Sequence, residues 1–336
     1  MTSDLSRKVL PIGIENRREL RIASVDEHVP LPISVVIVSY NSCNYLRACL
    51  SSIEVEQCSE VIVVDNVSTD GSDEIVTQEF PNMRLIKSSQ NDGYGAAANL
   101  GITSCSSKYV LLLNSDTLLQ WGTLQSLTNY LDRHPQAAVV GPSLVNPDGT
   151  RQASCFPFPT PWQILLRETR LAKIWSETTA NHSADSARSV PWVLGAALAI
   201  RRQAFTSVGG FDASFFMYYE EVDLCYRLNR SGWQTHFTPA ATVTHIGGAS
   251  TKQKRTAMAI QLYKSLCHFY KQHYSRTQCF QLRLVLTYLM LRNILKETFK
   301  AARRSGSDKF SHTADDLMVW RSVLSSVWST NGWLEP

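Results

Sequence analysis

Nothing in the 336-residue sequence is apolar for long enough to cross a bilayer. A spanning helix needs roughly 20 predominantly apolar residues, and the longest candidate, Leu284 to Leu291, is closed off by Arg283 and Arg292. No basic segment followed by an apolar one opens the chain, so a secretory leader is not expected. Of the eight cysteines, no two form a CxxC pair or stand at a spacing typical of a zinc site, and they read as buried thiols of a reducing compartment. There is no internal repeat and no large excess of either charge, with 33 Lys/Arg against 29 Asp/Glu. Together these absences argue against spanning, disulfide-framework, zinc-ribbon and repeat architectures. The expected location is cytoplasmic, with the inner face of the membrane open as a docking surface.

What is present is material for a conventional core: 44% of the residues are apolar and 18% charged. The charge is unevenly spread. Residues 252–309 hold 13 Lys/Arg against only Glu297 and Asp308, so a basic C-terminal region follows an acidic body. Three parts are expected: an N-terminal extension over 1–31, a main domain over 32–250 and a basic, amphipathic helical region over 251–336.

Within the main part, strand and helix patterns alternate. The β-branched run from Ile33 to Ser39 is strand-like, and Tyr45, Leu46, Cys49, Leu50 and Ile53 follow at helical spacing. Further strands are expected at 60–64, 83–87 and 109–113, with helices at 71–80, 93–103 and 118–133. Strands apolar throughout fit a parallel sheet covered on both faces, so the fold class is α/β with a mostly parallel, doubly wound sheet. Beyond Ala137 the regularity weakens. A strand-like run is expected over 191–201, a helix over 220–230, a pair of short strands over 234–245 and a long amphipathic helical segment over 252–304.

Ligands of open α/β sheets bind beyond the carboxyl ends of the strands. Those ends carry Ser39-Tyr40-Asn41, Asp65-Asn66 and Asn114-Ser115-Asp116. An Asp at a strand end can simply cap the next turn. Two such acids facing one crevice suit a nucleotide base on one side and a divalent cation with diphosphate on the other. Glu220, Glu221 and Asp223 open a helix, where acids complement the dipole and where a carboxylate can also serve as a general base. His245 closes the last strand of the main part.

Taken in order, these blocks resemble the inverting, GT-A-type glycosyltransferases of family 2, and most closely their rhamnosyltransferase-like branch. The residues that carry the resemblance are Val35-Val-Ile-Val-Ser-Tyr-Asn41, Val63-Val-Asp-Asn66 with Ser68, Asp70 and Gly71, Asn91-Asp-Gly-Tyr-Gly95 with Asn99, and Leu112-Leu-Asn-Ser-Asp116. Trp192-Val-Leu-Gly195, Gly209-Gly-Phe-Asp212, Phe216-Met-Tyr-Tyr-Glu-Glu-Val-Asp-Leu224 and His245 complete the series.

The resemblance implies a GT-A fold, a nucleotide-diphosphate sugar as donor, a saccharide or lipid-linked acceptor and a divalent metal, Mg²⁺ or Mn²⁺. Asp65 would bind the donor's pyrimidine beside Ser39, Tyr40 and Asn41, and Asn91 to Gly95 would pass close to ribose and diphosphate. Asp116 would hold the metal with His245, next to Asn114 and Ser115, Asn114 standing where the family's first DxD carboxylate usually is. Glu221 takes the position of the catalytic base, although the doublet here is Glu-Glu and Glu220 competes for the role. Trp192, Gly195 and Asp223 would face the sugar or acceptor.

Two rival readings are a sugar nucleotidyltransferase, which would need a Gly-rich basic loop after the first strand in place of Ser39-Tyr40-Asn41-Ser42, and a non-catalytic, membrane-associated sugar-nucleotide binder. Nucleic acid is not an expected partner, because the body is acidic and no recognition module is present. The basic C-terminal region is expected to contact an anionic membrane surface through 252–309.

Overall fold

The computed structural model describes residues 30–53, 58–167, 186–247, 255–302, 310–329 and 333. The expected N-terminal arm lies outside them apart from its last two residues, and so do both ends of the basic stretch 252–309.

The chain runs β1 (Leu31–Ser39), α1 (Cys43–Ser52), β2 (Cys58–Asp65), α2 (Ser72–Glu79), β3 (Arg84–Lys87), α3 (Tyr94–Thr103) and β4 (Tyr109–Asn114). These four strands are parallel, in the order β3-β2-β1-β4. Their sequences explain the layering. Along β1, Val35 and Ile37 enter one apolar cluster while Val36 and Val38 enter the other. In β4, Tyr109, Leu111 and Leu113 alternate in the same way with Val110 and Leu112. Both faces are covered by helices, so a strand that alternates in space reads as continuously apolar in sequence.

The rest of the sheet is mixed. β4 is followed by β5 (Thr117–Leu119), α4 (Thr123–Arg133) and β6 (Ala137–Val145), and then by the short β7 (Arg151–Gln152), β8 (Cys155–Phe156), α5 (Pro161–Arg167), β9 (Arg188–Val190) and β10 (Trp192–Val193). β11 (Ala197–Arg201), α6 (Arg202–Ser207), α7 (Glu220–Arg230) and β12 (Gln234–His245) complete it. The sheet continues from β4 through β11, β6 and β12 to β5. β11 is antiparallel to β4 and β6, β12 is parallel to β6, and β5 is antiparallel to β12.

Three expectations change here. The helix read from Leu118 begins only at Thr123, because Leu118 and Leu119 pair with Thr244 and Val243 of β12, and Gly122 (φ 77°) turns the chain into α4. The pair of strands read over 234–245 is one 12-residue strand, irregular between Thr238 and Thr242, where Pro239 has no N–H for the ladder. The run 191–201 divides into β10 and β11 around Leu194-Gly195-Ala196.

The segment read as one long helix is α8 (Arg255–His273) and α9 (Arg276–Ala302), followed by α10 (Phe310–Trp328). The break between α8 and α9 is a capping box: Gln278 N–H donates to Ser275 Oγ and Ser275 N–H to Gln278 Oε1. Leu266, Phe269, Tyr270, Leu282 and Leu286 form a third apolar cluster with Val319 and Val323 of α10 and with Phe215 and Val222. The helices therefore share a core with the residues that lead into α7. No helix among the described residues is long and apolar enough to cross a membrane.

The close approach of α3 to the sheet yields a direct test. A methyl group at Gly101 would lie 2.4 Å from Val36 Cγ1 and 3.0 Å from Val64 Cγ2. Overpacking costs roughly 1–3 kcal/mol and outweighs the gain of up to about 1 kcal/mol in helix propensity. Gly101→Ala should lower the urea midpoint without changing the slope; an equal or higher midpoint would show that the contact is not limiting.

Candidate active site

The parallel registers bring three chain reversals to one edge. Ser39 lies beside Asp65 and Val38 beside Asn114, so the ends of β1, β2 and β4 are level. Backbone strain gathers at the same place, with Asn41 at φ 49° and Val67, a β-branched residue, at φ 66°. The loops are cross-tied: Asn41 N–H donates to Ser68 Oγ at 3.0 Å, and Thr69 N–H donates to Asn41 Oδ1 at 2.8 Å. Asn66 Nδ2 donates to Asn91 Oδ1 at 3.0 Å, and the same oxygen accepts Gly93 N–H at 3.1 Å.

Above this edge lies a cavity of about 310 Å³. It is lined by Tyr40, Asn66, Asn91, Gly93, Tyr94, Asn114, Ser115 and Asp116 from the strand ends and the loops that follow them, by Gly195, Glu220, Glu221 and His245, and by Val38, Leu194, Ala196, Phe216, Met217, Tyr218 and Met258. Most of the residues singled out in the sequence meet here. Ser39 and Asn41 do not line it, since their side chains are engaged with Ser42 and Thr69. Asp65 sits just behind, 5% exposed; its Oδ2 accepts Ser68 N–H, whereas Oδ1 is buried without a partner.

Trp192 and Asp223, expected to face sugar or acceptor, also lie outside the lining. The Trp192 indole donates to Pro157 O at 2.8 Å and stacks on Phe156 at 4.7 Å. Asp223 is 1% exposed and accepts from Arg227 Nε at 2.7 Å while pairing with His273 Nε2 at 2.6 Å, so it ties α7 to α8.

The turn from β4 into β5 brings Asp116 and His245 together. Because β5 runs back along β12, Thr117 faces His245, and Ile246 N–H donates to Asp116 O. His245 Nε2 stands 3.6 Å from Asp116 Oδ1. Gln152 sets the tautomer: its Nε2 donates to His245 O at 2.8 Å, which leaves Oε1 to accept from Nδ1 at 3.0 Å. Nδ1 therefore carries the proton, and the bare Nε2 faces Asp116. Burial lowers the imidazole pKa against the opposing pull of Asp116 and favours the neutral ring.

At the same cavity, α7 starts from two consecutive left-handed residues, Tyr218 (φ 66°) and Tyr219 (φ 70°). They set the first turn, from which Glu220 and Glu221 project. One carboxylate oxygen of each is buried without a partner. Burial raises both pKa values; the Glu221 charge raises Glu220 further, and the Gly195 backbone is among the groups that pull Glu221 back toward its ionised form.

Several residues at the site carried no role in the sequence. Tyr94 stood within a quoted motif and Asn66 beside Asp65, but Gln152 and Met258 reach the site only through the fold and leave no local signal.

A family model described as Glycosyl transferase family 2 matches residues 34–188. The N-acetylglucosaminyl-diphospho-decaprenol L-rhamnosyltransferase of Mycobacterium tuberculosis (strain ATCC 25618 / H37Rv) is 30% identical over 305 residues, 79% of this chain and 95% of the relative. The rhamnosyltransferase WbbL of Escherichia coli (strain K12) is 24% identical over 230 residues, covering 63% and 83% respectively. Among solved structures, the mannosyltransferase PcManGT from Pyrobaculum calidifontis, in complex with GDP-Man and Mn²⁺, is similar in fold with a TM-score of 0.51 at 17% identity, covering 92% of this chain and 90% of that one.

A carboxyl whose pKa is raised in the folded state keeps a proton that the unfolded chain has lost above about pH 4.3, so its contribution to stability falls as pH rises from there through the folded value. Glu220→Gln should therefore raise the melting temperature at pH 8, and by more than at pH 5. Destabilisation that grows with pH would contradict the assigned shift.

Proposed function

The chain belongs to glycosyltransferase family 2, in its rhamnosyltransferase-like branch, and from that membership we propose that the cavity performs a metal-assisted, inverting transfer with Glu221 as the base. The enzyme transfers a sugar from a nucleotide-sugar donor in glycan biosynthesis. The observation that carries the mechanism is the meeting of two sets of groups in the lining of one cavity, Asp116 with the bare nitrogen of His245 and the Glu220–Glu221 pair.

The nucleoside diphosphate would lie along the strand ends, with its base reaching the unpaired Oδ1 of Asp65 and its diphosphate passing Asn91, Gly93, Asn114 and Ser115. Asp116 and His245 would hold a divalent cation. Their 3.6 Å separation is within reach of two ligands sharing one ion at about 2.1 Å each. Among the described residues no group of three protein ligands gathers, so diphosphate and water would complete the shell. A carboxylate with an imidazole suits Mn²⁺ better than Mg²⁺. Bound there, the cation would neutralise charge on the departing diphosphate.

The acceptor hydroxyl attacks the anomeric carbon from the side opposite the diphosphate and loses its proton to Glu221. Glu220 stands beside it, and burial together with the charge of Glu221 favours its protonated form, so that the pair can share one proton. By kinship with the rhamnosyltransferases, a thymidine-linked 6-deoxyhexose is the first donor to test and a lipid-linked saccharide the first acceptor. Residues 32–250 would form the catalytic unit and 251–336 its helical, acceptor-side appendage, which contributes Met258 to the wall.

Measuring nucleoside diphosphate released from a panel of nucleotide sugars, with and without Mn²⁺, tests the reading. Glu221→Gln should cut transfer about 10²- to 10⁴-fold with donor affinity retained. The acid limb of kcat, lying above the usual carboxylate range in the wild type, should vanish. Loss in Glu220→Gln and not in Glu221→Gln would move the base to Glu220.

The appendage would bring the enzyme to its lipid-linked acceptor. On α9 the exposed Phe280, Leu284, Tyr288, Leu291, Leu295 and Phe299 follow one another at steps of three and four, with Arg276, Arg292 and Lys296 on the same helix. Removing the helices would uncover the core shared with Phe215 and Val222, so point substitutions are the sounder test. The triple variant Leu284→Gln, Leu291→Gln, Leu295→Gln should lose most co-sedimentation with anionic vesicles while keeping its melting temperature. Wild-type binding by the variant, or none by the parent, would refute the membrane contact.

A further inference from the structure

With the carboxylates, the amides and the imidazole assigned, the cavity keeps one more buried polar atom without a partner, the hydroxyl of Tyr94. Its position is imposed by the backbone. Tyr94 is the first residue of α3, and its N–H donates to Phe216 O at 2.9 Å. The preceding Gly93 has φ 98°, and a Cβ there would lie 2.2 Å from that same oxygen. Glycine is what allows the two segments to touch, and with the helix start clamped to the loop that leads into α7 the ring is held in place, packed against the second apolar cluster.

The hydroxyl shares the cavity lining with three acids, Glu220, Glu221 and Asp116, and burial, then the charge of these acids, keeps its proton on. None of the three forms a hydrogen bond with it. A buried phenol without a partner is costly, so the gap calls for a ligand atom, and the surroundings restrict which kind. A phosphate oxygen would accept from the phenol but carries no proton for the buried, unpartnered oxygens of Glu220 and Glu221. An apolar group would leave all of them unpaired. A hydroxyl satisfies both sides, accepting from the phenol and donating to a carboxylate.

We propose that Tyr94 reads the saccharide: its O–H donates to a sugar hydroxyl, which in turn donates to the carboxyl of Glu220. The proposal rests on the family 2 reading and adds to it a residue that selects sugar by hydroxyl pattern and does not touch the nucleotide. The sugar is that of the donor or that of the acceptor, and the two leave different kinetic traces.

Tyr94→Phe removes one oxygen and nothing else. It should keep or raise the melting temperature, because an unpaired buried hydroxyl is lost, and it should bind the free nucleoside diphosphate with Mn²⁺ as the wild type does. Transfer should fall about 10- to 100-fold in kcat/KM, and preference for the preferred sugar over its monodeoxy analogues should collapse. A parallel fall in acceptor-free donor hydrolysis assigns the hydroxyl to the donor sugar; a fall in transfer alone assigns it to the acceptor. Wild-type rates and selectivity in both assays would overturn the proposal while leaving the family reading standing. Absence of turnover by the wild-type protein on every nucleotide sugar would overturn that reading and this proposal together.

Discussion

The structure turns on the burial of two adjacent carboxyl groups, Glu220 and Glu221, each with an oxygen that finds no partner. Such groups oppose folding, and the scaffold around them is correspondingly over-determined. Val222 anchors the helix in the third apolar cluster, and Leu224 and Leu228 anchor it in the second. Asp223, between them in sequence, is fully paired, with Arg227 also donating to Val208 O and Gly210 O. One turn of helix thus carries a fully bonded acid and two that each leave an oxygen unpaired. Strain at Tyr218 and Tyr219 sets the angle at which the latter two enter the cavity.

The strand-end part of the cavity is built by register. Parallel pairing levels the ends of β1, β2 and β4, and the short reversal at Ser115-Asp116 returns the chain along β12, so that a residue from the fourth strand meets one from the last. Gln152, on an otherwise minor strand, fixes the tautomer of His245. The start of α3 and the loop that leads into α7 are tied together by the contact of Gly93 and Tyr94 with Phe216.

Much of this was legible in the sequence because the parallel half of the sheet writes its pattern locally. Apolar runs such as Val35–Val38 and Leu111–Leu113 mark strands buried on both faces, and the polar residues that follow them mark the site. What was not legible depends on pairing across the chain. Leu118 and Leu119 suit a helix as well as a strand, and only β12 decides between them. Asp223 follows the Glu220–Glu221 doublet closely enough to suggest a shared role, yet its partner His273 lies 50 residues away. Trp192 shares a motif with Gly195, but its indole turns to Pro157 and away from the cavity that Gly195 lines. Met258 enters that cavity from a helix whose own sequence marks only amphipathicity.

The central claim is that a carboxylate at the start of α7 deprotonates the acceptor for a single displacement at the anomeric carbon, on the face opposite a diphosphate held at the strand ends. Stereochemistry tests this most directly. Nuclear magnetic resonance of the product, formed from a donor of known anomeric configuration, should show that configuration inverted. A product that retains the donor's configuration would require a second displacement, for which the arrangement proposed here makes no provision, and would contradict the account.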